Sequence, residues 1–131
     1  MYKRQSKYKV FPDYNYVLDL KENYRKLWQR AGTGGNPPTA FTGNDAFRNW
    51  GKYREGDRSE AVLSWVKRRE RFIRRHKEDF LLNGCIAMMK WGGVLDRGVP
   101  HMKKVVGEAK KKIDERRGKG ESEDNIDFSD M

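Results

Sequence analysis

Apolar residues recur at helical spacing in several separate stretches of this chain. Val17, Leu20, Tyr24, Leu27, Trp28 and Ala31 share one face, which predicts a helix capped by Asp13 and stopped at Gly32. Residues 45–54 suit a short helix carrying Phe47 and Trp50. Asp57 and Glu60 have capping-box spacing and open the longest helix, which runs to about residue 79. Val62, Trp65, Val66, Phe72, Ile73 and Phe80 form its apolar stripe. Residues 81–95, LLNGCIAMMKWGGVL, read as a buried helix, although CIAMM alone also suits a strand. Gly98 ends that segment, and Pro100 fits the first turn of a last helix whose buried face is Met102, Val105, Val106, Ala109 and Ile113. The fold class expected is mainly α, a small bundle of four or five helices.

The connecting segments set the boundaries. Residues 1–12 are basic and aromatic and read as a flexible arm ending at Pro12. Residues 32–44, GTGGNPPTAFTGN, are a loop, because clustered glycines with Pro37 and Pro38 exclude regular structure. Residues 118–131 are acidic and read as a disordered tail. One helical domain, 13–117, lies between arm and tail.

Composition adds an unusual surface. Charged residues are 37% of the 131 and hydrophobic residues 36%, with a formal net charge of +10. The mean hydropathy is −1.05 and the isoelectric point about 9.8. Residues 118–131 hold five acids against Lys119 alone, so of the net +10 the tail carries −4 and the preceding body +14. A body of that charge repels itself, and a polyanionic partner relieves the repulsion. Nucleic acid is the first such partner, an acidic protein or a membrane surface the second. No run is long and apolar enough for a membrane span, and MYKRQSKYK lacks the apolar core of a signal peptide. The single cysteine, Cys85, excludes an intrachain disulfide and reads as a core residue. A cytoplasmic setting, bacterial or host cell, is the resulting expectation.

Two basic runs carry the functional argument. In KRRERFIRRHK, residues 67–77, seven of eleven positions are Lys or Arg and one is acidic. A merely solvated helix interleaves Glu with Lys for i,i+4 pairs, which this run does not do. Lys67, Arg68, Arg71, Arg74 and Arg75 are therefore candidate phosphate contacts. Lys103, Lys104, Lys110, Lys111 and Arg116 on the last helix add to them if both helices face one way. Lys3 and Arg4 in the arm extend their reach. Trp50 and Tyr53, flanked by Arg48, Lys52 and Arg54, suit either base stacking or core filling. GTGG is followed by prolines and lacks GK[ST], so it reads as a linker, not a phosphate loop. Residues 86–106 faintly resemble a helix-turn-helix segment, with Lys90 where an apolar residue is expected; a helical hairpin explains them equally well.

Catalysis finds little support. His76, His101 and Cys85 lack metal-ligand spacing, and no nucleophile elbow or HExxH is present. Asp57 and Glu60 are explained by a helix cap. The expectation is a chain that is not an enzyme, with no metal and no cofactor.

The ending, ESEDNIDFSDM, resembles the acidic C-terminal tails of single-stranded DNA-binding proteins. That resemblance covers these eleven residues only. It implies a tail that competes with nucleic acid for the basic body, or that recruits a protein partner through Asp127 and Phe128. Here Phe128 is followed by Ser-Asp-Met instead of ending the chain, and the body shows no pattern of alternating strands. A solubilising end with no specific role is the remaining alternative.

The function expected is a nucleic-acid-binding accessory protein for DNA or RNA, with largely backbone contacts and low sequence specificity. Its size and charge suit a phage-encoded replication or regulatory factor. The alternative is a non-enzymatic inhibitor or adaptor that docks its basic face on an acidic protein.

Overall fold

The computed structural model describes residues 7–32 and 41–131. Six α-helices and no strand occur among the described residues. Helix α1 (Tyr14–Asn23) begins where Asp13 accepts from the amides of Asn15 at 3.0 Å and Tyr16 at 3.4 Å. The apolar stripe continues past Asn23, but the backbone breaks at Tyr24 (φ −132°, ψ 56°) and resumes as α2 (Arg25–Trp28). The Tyr24 hydroxyl donates to Asp114 at 2.8 Å, and Trp28 sits edge-on to Phe47 at 5.1 Å. The one helix expected over residues 13–31 is thus two, and the bundle exceeds four or five helices by this short turn.

Helix α3 (Gly43–Arg54) opens with a reciprocal capping box between Thr42 and Asp45. Helix α4 (Glu60–His76) starts after Ser59, and Asp57 accepts from the Ser59 amide at 2.7 Å. Asp57 therefore shapes the turn before the helix and is not its cap. Helix α5 (Leu82–Trp91) is buried along most of its length, and CIAMM is helical. Gly92 ends it in the left-handed region at φ 73°, where a Cβ would lie 3.1 Å from the Trp50 ring. Helix α6 (Gly98–Gly118) buries Met102, Val106, Ala109 and Ile113.

Helix α5 is the hub, packed against α3, α4 and α6. Helices α4 and α6 each lie on α5, and neither packs extensively on the other. Residues 92–97 separate α5 from α6, a longer connection than the roughly 3–4 residues of a helix-turn-helix. Aromatic rings join α1 to α3: Tyr14 stacks on Phe47 at 5.0 Å and meets Trp50 edge-on at 5.0 Å.

Both segments expected to be disordered depart from that expectation where they are described. In the arm, Phe11 stacks against Trp50 at 6.2 Å and Tyr53 at 6.1 Å, and Pro12 is buried. Residues 118–131 turn back along α6 and meet α2. Phe128 is 9% exposed, beneath the Arg30 guanidinium at 5.0 Å. The Leu82 amide donates to the Met131 carbonyl at 3.1 Å. Opposite charge explains this docking: the −4 segment lies on cations of the +14 body.

Candidate nucleic-acid interface

Arg68, Arg71 and Arg75 sit at i, i+3 and i+7 on α4, a spacing that places them in one row. The row edges a cleft of about 320 Å³ between α4, the start of α3 and the end of α5. Its floor is aromatic. Phe72 stacks on Trp91 at 4.7 Å and 9°, His76 lies 4.4 Å beyond Phe72, and Phe41 lies 5.5 Å from Trp91. The Arg68 guanidinium covers Phe41 at 4.9 Å.

Charge pairing separates the two basic runs. Among the described residues, Lys67, Arg68, Arg71, Arg74 and Arg75 form no ion pair, and all five are exposed. The cations of α6 are largely matched. Lys103 pairs with Asp13 at 3.8 Å, Lys110 with Asp19 at 3.2 Å and Arg116 with Glu121 at 3.9 Å. Lys112 pairs with Asp130 at 3.4 Å and Arg117 with Glu123 at 2.8 Å. Lys26 on α2 pairs with Asp124. Lys104 and Lys111 are exposed and without an ion pair among the described residues. The two runs therefore do not add to one field: α4 presents bare charge, while α6 is offset by α1 and by the acidic segment.

Other candidates are placed differently from expectation. Trp50 is 2% exposed, so no base reaches its face. Tyr53 is covered by Arg58 at 3.7 Å, by Trp65 at 5.6 Å and by Phe11. Trp50 serves the core, whereas Tyr53 is half-buried and lines a groove with Phe11, Arg54 and Arg58. Phe128 is seated on the body, and the Asp127 carboxylate accepts from the Ser129 amide at 2.9 Å. Lys3 and Arg4 lie outside the described residues, as does most of the 32–44 loop.

Sequence reasoning missed two buried cations. Arg69 is 2% exposed and donates to three backbone carbonyls. Lys90 is fully buried, donates to the Asn44 side chain at 3.1 Å and lies 4.4 Å over the Trp28 ring. Burial pushes the Lys90 amine down to about 8 and the Arg69 guanidinium down to about 10. The signal for Arg69 was its position: 62, 65, 69 and 73 form one stripe. Phe41 and His76 as cleft residues had no local signal, because α5 brings them together.

Among the described residues, no group of three or more His, Cys, Asp or Glu assembles as for a metal. Burial pushes the Cys85 thiol up to about 12, leaving it without thiolate character. No helix among the described residues is long and apolar enough to cross a membrane. Comparison with protein-family models, curated proteins and solved structures finds no match to this chain.

Proposed function

We propose that this chain is a non-enzymatic nucleic-acid-binding accessory protein whose contact surface is the α4 cleft. The observation that carries the reading is the arginine row 68, 71 and 75, bare of carboxylates and set above stacked rings. Guanidinium groups neutralise phosphates and release counterions, and aromatic or guanidinium planes accept bases without reading sequence. Low sequence specificity follows from that chemistry. The acidic segment has a part in this reading. By offsetting α6 and α2, it leaves α4 as the dominant field and discourages polyanions from binding elsewhere.

Binding of a labelled strand across a salt series tests the reading. The full chain is expected to bind with a steep log–log salt slope, and Arg71→Ala with Arg75→Ala to weaken it sharply. Absence of binding at low salt sinks the reading. Retention of a protein partner after nuclease treatment favours the adaptor alternative instead.

A further inference from the structure

The cleft is not the end of the basic and aromatic surface. A second groove of about 500 Å³ runs between α1 and α3. Tyr14 lines it above buried Phe47 and Trp28, and Lys21, Lys52, Arg48 and Arg54 outnumber the one carboxylate at its edge, Glu55. Both lysines are exposed and form no ion pair among the described residues. The basic edge thus repeats that of the first cleft on a different pair of helices, with Tyr14 as the half-buried ring beside it.

The linings of the two grooves are adjacent along the chain at the start of α3. Thr42 and Gly43 line the first, and Asn44 lines the second. At this join Gly43 is buried against Gly32 and the Lys90 stem, while Asn44 is exposed. A Cβ at residue 43 would lie 2.8 Å from the Gly32 carbonyl and 3.1 Å from the Lys90 stem. Lys90 supports the join from beneath through its bond to Asn44.

Resting on the nucleic-acid reading, we infer that the ligand is a single strand occupying both grooves as one track across residues 42–44. Unpaired bases have free π-faces for the half-buried rings of the first cleft, Phe41, Phe72 and His76, whereas duplex bases are already stacked on one another. The arginine row covers only about 10 Å of helix, the seven-residue step from Arg68 to Arg75 at 1.5 Å per residue. A strand longer than that must leave the cleft, and the α1–α3 groove continues its path. A flexible strand crosses the join at little cost. A duplex, with a persistence length of about 150 base pairs, is stiff over so short a distance.

Fluorescence anisotropy with the full chain tests the track, using labelled single strands from about 4 to about 16 nucleotides and a duplex of the longest. Arg71→Ala with Arg75→Ala is expected to weaken binding at every length. Lys21→Ala with Lys52→Ala is expected to weaken the longest strand about tenfold and the shortest much less. It also lowers the long-strand salt slope by about 1.4, two phosphates at about 0.7 each. Equal long-strand affinity and slope in the lysine variant overturns the track while leaving the α4 cleft standing. Duplex binding as tight as the longest strand overturns the single-strand assignment. Failure of the unaltered chain to bind any strand defeats the underlying reading, before any variant is compared.

Discussion

The Nε of Arg69 donates to the Gly92 carbonyl at 2.8 Å, tying the middle of α4 to the glycine that ends α5. The same guanidinium donates to the carbonyls of Tyr8 and Val10 and lies 4.0 Å over the Phe11 ring. One side chain thus fixes the α4–α5 angle and straps residues 8–11 to the body. Arginine suits this task because its planar fork holds several donors at set angles, and it is more weakly hydrated than an ammonium. Gly92 and Trp91 are where the cleft floor begins, so the buried cation also positions the rings beneath the exposed arginine row.

Replacing Arg69 with methionine fills similar space and leaves three carbonyls without their donor. The expected loss is about 3 kcal/mol of folding stability, in the range for stripping one partner from a buried polar network. Arg69→Lys is expected to fall between the two, since an ammonium cannot reproduce the fork. Urea unfolding measures the loss. Hydrogen exchange at residues 8–11 should rise in both variants; unchanged protection would show that the strap is held by Phe11 alone.

Much of this fold was legible in the apolar spacing. The stripes of α4 and α6 and the burial of α5 follow from residues such as Val62, Trp65, Met102 and Ile113. Arg69 is not legible in the same way, because its charge argues for exposure while its position lies on the stripe. The docking of residues 118–131 was hidden for another reason. Local composition argued for disorder, but Asp124 and Phe128 find Lys26 and Arg30, which are close only after α1, α2 and α6 have packed. The α4 arginines were visible as a run; the rings that floor their cleft come from three separate segments.

Lys90 is a buried cation whose polar partner among the described residues is the neutral Asn44 amide. Its amine is pushed from 10.5 down to about 8, so the unfolded chain holds its proton more tightly than the folded one. Between those values the unfolded state binds more protons, and this group's contribution makes stability rise with pH from about 8 to about 10.5. Below about 8 the full cost of the buried charge is present. Lys90→Met keeps the stem and removes that cost, so it is expected to stabilise the chain by about 1–2 kcal/mol at neutral pH. Urea unfolding at several pH values measures both effects. A methionine variant that is less stable at pH 7 would show that the Asn44 and Trp28 contacts outweigh desolvation.

Phe128 clamps the acidic segment beneath Arg30, with Lys112 at 5.9 Å on the ring. Phe128→Ala is expected to cost about 2 kcal/mol, less than a deep-core phenylalanine because the site lies at the edge of the body. Detachment exposes Lys26, Arg116 and Arg117, so weak, salt-sensitive polyanion binding should increase. Acid should do the same without mutation. The carboxyls of Glu123 and Asp124 are held low by hydrogen bonds from Arg117 and Lys26 respectively. Their stabilising effect is present above the ordinary carboxylate range, about 4, and is lost as pH falls through the lowered values. Hydrogen exchange or proteolysis of residues 119–131 along an acid titration follows the release.

Net charge alone does not decide where a polyanion binds, and two charge-matched variants separate field from site. Arg71→Ala with Arg75→Ala and Lys104→Ala with Lys111→Ala each remove two exposed cations that lack ion pairs among the described residues. If the +10 charge simply attracts any polyanion, both variants weaken binding equally. The arginines, however, border rings at Phe72, His76 and Trp91 and can form two-pronged phosphate contacts. Lys104 and Lys111 border a different groove, beside Glu108, Glu115 and Asp130, whose carboxylates repel phosphate. The arginine variant is therefore expected to lose at least about tenfold in single-strand affinity, and the lysine variant less than about threefold. Anisotropy at one fixed salt concentration gives the comparison. Equal losses would place binding in the diffuse field of the body and remove the α4 cleft as its site.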